Sequence, residues 1–196
     1  MPSPLGHALG GVIAGGLVAW ASRLRPDAER LAADQRATTA RWWDVIATWK
    51  RIDPQVRLFA WLGMAADLDF LIGRHSHESH SIGATLLVAL TVLAWHRRPA
   101  LALAAAAAYA SHILLDWLGS DTVPPIGIMA MWPLTSDFYQ SPYFVFDAIS
   151  RRFQSPASWW HNLRAVVREI LILGPLVALM LAAWPGWKNL HRPWRR

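Results

Sequence analysis

The chain of 196 residues contains no cysteine, which excludes disulfide bonds, thiolate nucleophiles and sulfur-ligated zinc or iron clusters. Any metal ion would therefore need nitrogen and oxygen ligands. Charged residues are also scarce, at 16%, whereas 54% of the residues are hydrophobic and 13 are tryptophan. Such a composition is unsuited to a fully water-facing surface, and it predicts a membrane protein.

No compact block of basic residues accompanies the formal net charge of +6, because the Lys and Arg residues are scattered between apolar runs. A nucleic-acid partner is therefore not expected. The first apolar run lacks a basic segment before it, since Arg23 is the first basic residue, so we expect a retained helix and not a secretory signal. The length favours a single domain over residues 1–196.

Five stretches approach the roughly 17–25 apolar residues that a membrane-spanning helix needs. They are residues 5–22, 55–73, 81–96, 99–118 and 169–187. The sequence thus predicts an all-α fold, an integral membrane bundle of about five transmembrane helices. The second stretch is the weakest, because Asp67 and Asp69 lie inside it.

Two connections predict interfacial helices. In residues 23–57, bulky apolar side chains recur at helical spacing beside basic ones, which is typical of a helix lying in the membrane interface or of one packed on a partner. These side chains are Trp42, Trp43, Ile46 and Trp49, with Arg41, Lys50 and Arg51 beside them. Residues 119–168 are rich in proline and aromatic residues, and we expect them to form short interfacial segments.

The distribution of positive charge predicts the orientation. With the N-terminus outside, the cytoplasmic segments hold 14 of the 19 Lys and Arg residues, in accord with the positive-inside rule. The predicted location is a bacterial inner membrane, crossed several times by the chain.

Polar side chains from four segments fall near the outer ends of these predicted spans. Charged and imidazole groups in spans are costly, and they usually face the bundle interior where they pair or bind something. The residues are His7, Asp67, Asp69, His75, His77, His80, His112 and Asp116. Because they share one depth, we expect a single site on the extracytoplasmic side.

Spacing indicates how some of these residues would act. His112 and Asp116 are four residues apart and share a helix face, so they could bind one metal ion, or Asp116 could orient His112. Asp67 and Asp69 would point about 200° apart on a regular α-helix. Both can reach one site only if the helix ends there; otherwise one of them caps the helix, pairs with Arg74 or acts as a base.

Residues 74–81 read Arg-His-Ser-His-Glu-Ser-His-Ser, with three histidines in one short turn. Imidazole is the commonest nitrogen ligand for zinc, and carboxylates complete such sites. A pH-responsive surface loop is the alternative, and Ser79 or Ser81 could simply cap the next helix. The other histidines, His96, His161 and His191, are expected to be interfacial residues and not ligands.

Several motifs together resemble the membrane-bound metal-dependent hydrolases of the YdjM-like type. They are His7, Asp67-Leu68-Asp69, the turn from His75 to Ser81, the string Ser-His-Ile-Leu-Leu-Asp-Trp-Leu at residues 111–118, Pro-Pro-Ile-Gly-Ile at 124–128 and Trp-Pro-Leu at 132–134. More distantly, the pattern is similar to that of zinc-dependent phospholipase C. The resemblance implies a metal site formed by His7, Asp67, His75, His80, His112 and Asp116. Here Arg74 precedes His75 and Ser79 replaces the usual threonine, so His77 competes with His75 for the ligand role.

The resulting hypothesis is a hydrolase that uses a metal-activated water on phosphoester or lipid-linked substrates, with membrane lipids as neighbours. Zinc is the favoured ion, with manganese or magnesium as alternatives, and two ions are compatible with the number of ligands. Asp69 or Glu78 would accept the proton of the water. Arg151 and Arg152 would bind a phosphate group or, as the favoured alternative, only anchor their loop. The rival hypotheses are an ion or metal transporter and a non-catalytic protein with a structural metal.

Overall fold

The computed structural model describes residues 1–22, 52–72, 75–151 and 154–183, and within these ranges the protein is helical and has no β-strand. Its five α-helices are α1 (Pro4–Ala21), α2 (Pro54–Met64), α3 (Ile82–His96), α4 (Pro99–Trp117) and α5 (Pro156–Ala183). Two 3₁₀ helices, Ala65–Ile72 and Glu78–His80, lie between α2 and α3. The all-α prediction is confirmed.

Local sequence explains where the helices begin. Ser3 accepts a hydrogen bond from the backbone N–H of Gly6, Asp53 accepts one from Gln55 and Ser81 accepts one from Ala84. These three residues are N-caps, which satisfy backbone donors that a first helical turn leaves unpaired. Proline follows Ser3 and Asp53 at the first helical position, where its missing N–H costs nothing.

Helix α1 lies at the centre of the bundle and contacts α2, α4 and α5. Its glycines allow unusually close packing, as expected for helices in lipid. Gly11 faces Gly63 of α2 so closely that a Cβ atom on either residue would overlap the backbone of the other helix. The buried core between these helices includes Phe59 and the small residues Ala104 and Ala108 of α4.

In the described part of the chain, three helices are long and apolar enough to cross a membrane, namely α1, α4 and α5. Helices α1 and α4 match the predicted first and fourth spans closely. The predicted second span is wrong as a continuous α-helix, because α2 ends at Met64 and a 3₁₀ helix follows. The third has only 15 residues, about 22 Å of helix, which falls short of the roughly 30 Å hydrocarbon core.

The fifth predicted span begins too late. Helix α5 starts at Pro156, with Ser155 accepting a hydrogen bond from the N–H of Ser158, so residues 156–168 are its first turns and not interfacial loop. The apolar run that indicated this span begins only at Ile170, because polar side chains such as Asn162 occupy the earlier turns.

The remaining long connection, residues 119–155, packs against the histidine-rich turn. Met129 N–H donates to the carbonyl of Ser76, and Ile82 N–H donates to that of Ala130. Two isolated β-bridges, Gly119 with Phe146 and Ile128 with Tyr139, hold this connection together. It therefore supports the turn that carries the predicted ligands.

Some predictions lie outside the described residues. They include the amphipathic helix around Trp42, Trp43, Ile46 and Trp49, and the residues Arg74, Arg152 and His191.

Candidate metal centre

Helices α1 and α4 contribute three side chains to one buried cluster. His7 lies in the first turn of α1, and its Nε2 is 3.2 Å from Oδ1 of Asp116 near the end of α4. His112, one turn before Asp116, places its Nε2 3.2 Å from Oδ2 of the same carboxylate. The rings of His7 and His112 stack with centroids 3.7 Å apart. All three side chains are almost completely buried.

The 3₁₀ helix Ala65–Ile72 brings both aspartates to this cluster. Three residues per turn put Asp67 and Asp69 about 240° apart around the axis, or 120° the shorter way round, instead of the roughly 200°, or 160° the shorter way round, of an α-helix. Asp67 Oδ1 lies 3.6 Å from Nε2 of His112. Asp69 Oδ2 lies 3.2 Å from Nδ1 of His80. The expected helix ending is therefore present, and it orients both carboxylates toward histidines.

The turn after this 3₁₀ helix supplies two histidines but not the third. His80 Nε2 lies 3.3 Å from Asp116 Oδ2, and His75 Nδ1 lies 2.9 Å from Asp69 Oδ1. His77 instead bonds the carbonyl of His75 through Nδ1, at 2.7 Å. Of the two competing histidines, the structure thus brings His75 and not His77 to the cluster.

Two groups of three residues have donor atoms within 4.8 Å of one another, and such buried His and Asp groups could hold a metal ion. The groups are His7, His112, Asp116 and Asp67, His75, His80. They also meet each other, because Nε2 of His80 lies 3.1 Å from Nε2 of His112. All six predicted metal ligands therefore belong to one cluster.

Four donor atoms converge most closely: Asp67 Oδ1, His80 Nε2, His112 Nε2 and Asp116 Oδ2. The separations among them range from 3.1 to 3.8 Å for the five pairs measured. Ligands at zinc-like bond lengths around a tetrahedral ion would stand about 3.3 Å apart. The cluster is therefore close to the dimensions of a four-ligand site.

Hydrogen bonding also directs the imidazole nitrogens. His112 Nδ1–H donates to the carbonyl of Gly63 at 2.7 Å, so in the neutral ring Nε2 carries no hydrogen and presents a lone pair to the cluster. His80 Nδ1 faces Asp69 and the hydroxyl of Ser79, so in the neutral ring its Nε2 also carries no hydrogen. This is the arrangement of metal-binding histidines oriented by a second hydrogen-bond partner.

The carboxylate of Asp116 provides a further test of fit. It is fully buried, and neither oxygen makes a geometrically acceptable hydrogen bond among the described residues, although imidazole nitrogens surround it. Burial of a charge that lacks well-formed hydrogen bonds is strongly unfavourable. A cation at the cluster would satisfy it, so the residues fit a metal ion.

The carboxylates around the histidine-rich turn favour a positive charge at the cluster. Burial lowers the pKa of His80, but the facing carboxylates of Asp116, Asp67 and Asp69 outweigh it and raise the pKa well above its usual range. Burial raises the pKa of Asp69, but hydrogen bonds from His75, His80 and Ser79 outweigh it and hold the pKa below its usual value. The cluster thus stabilises either a proton on His80 or a cation in its place.

The two predicted proton acceptors differ in position. Asp69 is buried, and its oxygens already accept from the Ser76 N–H and the Ser79 hydroxyl and face two histidines. Glu78 is exposed and belongs to neither of the donor groups found in the described residues. Asp69 is therefore placed to orient histidines, whereas Glu78 lies apart from the cluster.

Sequence reasoning missed residues that position this site. Glu169 of α5 is completely buried and accepts hydrogen bonds from the N–H and hydroxyl of Ser3. Its only sequence signal is an acid at the edge of an apolar stretch. Tyr109 of α4 donates to the carbonyl of Ser79 at 2.7 Å. No sequence motif predicts that the backbone carbonyl of Gly63 orients His112.

The histidines predicted to lie outside the site do so where they are described. His161 Nε2 bonds the carbonyl of Ala148, and His96 is exposed at the other end of α3.

Comparison of the chain with protein-family models, with curated proteins and with solved structures finds no match.

Proposed function

We propose that this protein is a membrane-bound metal-dependent hydrolase whose divalent cation is held by Asp67, His80, His112 and Asp116. One observation carries the proposal: four donor atoms from three separate segments converge at tetrahedral separations, around a buried carboxylate that lacks hydrogen bonds. Structural helix packing alone would not require such a costly arrangement. The YdjM-like resemblance supports the same class.

The donor set favours zinc. Two imidazole nitrogens and two carboxylate oxygens in a four-ligand arrangement suit zinc, whereas magnesium prefers six oxygen ligands in an octahedron. Manganese and magnesium remain the alternatives for the assay. His7 contacts the other oxygen of Asp116 and stacks on His112, and it borders the four donor atoms that lie nearest one another.

A divalent cation would supply Lewis acidity and would lower the pKa of a water bound in addition to the four protein donors. The chain's own residues hold the donors in place. Asp69 fixes His80 and His75 through its two oxygens, and Gly63 fixes His112. Asp67 is the ligand most open to solvent, with its side chain 23% exposed, so a substrate would approach from its side. We propose that Asp69 positions the histidines. The proton of the water would then be accepted by a different group, on the exposed side of the cluster.

The location follows from the spans and the charge pattern. The site lies where α1 begins and α4 ends, at one end of two helices that are long enough to cross a membrane. From the positive-inside pattern, we propose that this end lies on the extracytoplasmic side of a bacterial inner membrane. A lipid-linked or phospholipid-like phosphoester is the substrate class that this position favours.

The test combines metal analysis with hydrolysis assays on the full chain purified in detergent. We expect about one zinc per chain and turnover of a generic phosphodiester or phosphomonoester. His112→Ala should abolish both, whereas the matched control His96→Ala, an exposed histidine at the other end of the bundle, should retain both.

Two other outcomes would overturn the proposal. Bound zinc that resists chelation without turnover of any phosphoester or carboxyl ester would indicate a structural metal. Zinc flux into liposomes that depends on His112 would indicate a transporter.

A further inference from the structure

The cluster opens to solvent on one side. His7, His80, His112 and Asp116 have side chains that are at most 1% exposed, but those of Asp67 and His75 are 23% and 16% exposed. A substrate therefore has to meet the cluster beside the 3₁₀ helix Ala65–Ile72. The residues bordering this opening would contact whatever the site binds.

A cationic side chain lies near this opening, separated from His75 by the ring of Phe70. The ring of Phe70 stacks on His75 with centroids 3.9 Å apart. The guanidinium of Arg151 lies over the Phe70 ring, 4.5 Å from its centroid. Arg151 is exposed, and no described carboxylate lies within ion-pair distance of it. Its charge is therefore not neutralised by the described part of the chain.

Charge balance explains what a cation contributes there. Asp67, Asp69 and Asp116 bring three negative charges, and one divalent ion with neutral imidazoles leaves the centre about one charge negative. A further positive group that faced this centre would strengthen its attraction for an anionic phosphoester. Arg151 supplies such a group, and stacking on Phe70 limits the freedom of its guanidinium before the ligand arrives.

We propose that Arg151 is the anion-binding residue of this site and that it holds the phosphate group of a phosphoester beside the cluster. The inference rests on the proposed function and names its substrate class. Guanidinium groups bind phosphate through two parallel N–H donors, which a lysine cannot reproduce. The exposed Leu68 and Leu71, 61% and 84% exposed on the same 3₁₀ helix, would accommodate an acyl chain attached to that phosphate.

The direct test measures binding without turnover. Inorganic phosphate is titrated into the zinc-loaded full chain in detergent by calorimetry. We expect Arg151→Gln to weaken phosphate binding about 10- to 100-fold, the loss of a charged hydrogen-bond pair, and Arg151→Lys to restore it only in part. Zinc content should stay unchanged. Arg98→Gln, an exposed arginine at the opposite end of α4, is the matched control and should bind phosphate like the unchanged protein.

A second arm identifies the source of the phosphate. Glycerol 3-phosphate and its monoacyl form share the phosphate and differ in the acyl chain. Both should lose affinity in Arg151→Gln. Tighter binding of the acylated form to the unchanged protein would identify a lipid, and equal binding would identify a soluble phosphoester.

The outcomes separate this inference from the proposed function. If the unchanged protein hydrolyses phosphodiesters and Arg151→Gln binds phosphate equally well, the role of Arg151 is refuted and the hydrolase stands. If phosphate binding depends on Arg151 but no ester is hydrolysed, the anion site stands and the hydrolase fails. In an active enzyme, Arg151→Gln should raise the KM for bis(p-nitrophenyl) phosphate and leave that for p-nitrophenyl acetate unchanged.

Discussion

Replacing Gly63 with alanine tests whether the close contact of α1 with α2 positions the site. A Cβ on Gly63 would lie 2.2 Å from the backbone oxygen of His7 and 2.9 Å from the Cα of Gly11. Real Cβ contacts essentially never fall below 3.0 Å, so the two helices would have to separate by about 0.8 Å. Neither contact is with a flexible side chain that could yield.

Two effects then act against each other. Alanine is favoured over glycine in a helix by about 0.5–1 kcal/mol, whereas overpacking of backbone against backbone costs about 1–3 kcal/mol. The net free energy of unfolding should fall by about 1–2 kcal/mol. The carbonyl of Gly63 accepts from His112, and displacing it should weaken zinc binding about 10- to 100-fold, as for other partners of metal ligands.

The assay is thermal unfolding in detergent together with zinc retention against a graded chelator. Gly174→Ala is the matched control, because its Cβ would meet only Ile170, at an ordinary 3.7 Å. We expect the control to keep full stability and zinc, and Gly63→Ala to lose some of both. A Gly63→Ala protein as stable and as zinc-retentive as the control would refute the link between helix contact and site geometry.

Three further predictions concern charged groups and the metal. Asp69→Asn should lower zinc affinity about 10- to 100-fold without eliminating it, because Asp69 orients His80 and does not itself bind the ion. Equilibrium dialysis measures this affinity, and an effect no larger than that of the exposed Asp137→Asn would contradict the prediction. Glu169→Leu should destabilise the bundle by about 1–3 kcal/mol by leaving the buried donors of Ser3 unpaired, and unchanged thermal unfolding would exclude that role. Removing zinc should lower stability by about 2.7 kcal/mol relative to protein in zinc at 100 times its Kd, and a melting temperature insensitive to chelator would argue against a bound ion.

The helices could be predicted where the apolar pattern coincides with a whole helix. Helices α1 and α4 consist almost entirely of apolar and small residues, and their predicted ends differ from the observed ends by at most one residue. Helix α5 begins 13 residues before its predicted start at residue 169, because its first turns carry His161, Arg164 and Arg168, which remove the apolar signal. The change from α2 to a 3₁₀ helix at Ala65 depends on tertiary packing, and the sequence offered only the pair Asp67 and Asp69 as a hint.

The sequence predicted which residues belong to the candidate site, but not what each of them does there. A common depth in the predicted spans was enough to group His7, Asp67, His80 and His112. Which atoms face one another depends on ring orientation, which is determined by partners such as the Gly63 carbonyl. For the same reason the sequence could not separate His75 from His77, or show that both oxygens of Asp69 are occupied.

The donor residues come from segments spread over more than half of the chain, with Asp116 of α4 the last to be synthesised. Of the four closest donors, Asp67 and His80 precede α4 in the chain, and His112 and Asp116 belong to α4. During synthesis the first two helices would therefore meet before this four-donor set exists, through contacts that include Gly11 with Gly63 and Gly15 with Phe59. On the proposed function, the four-donor site would be completed only after α4 has been made, and a chain that stops before α4 would retain only the group Asp67, His75 and His80.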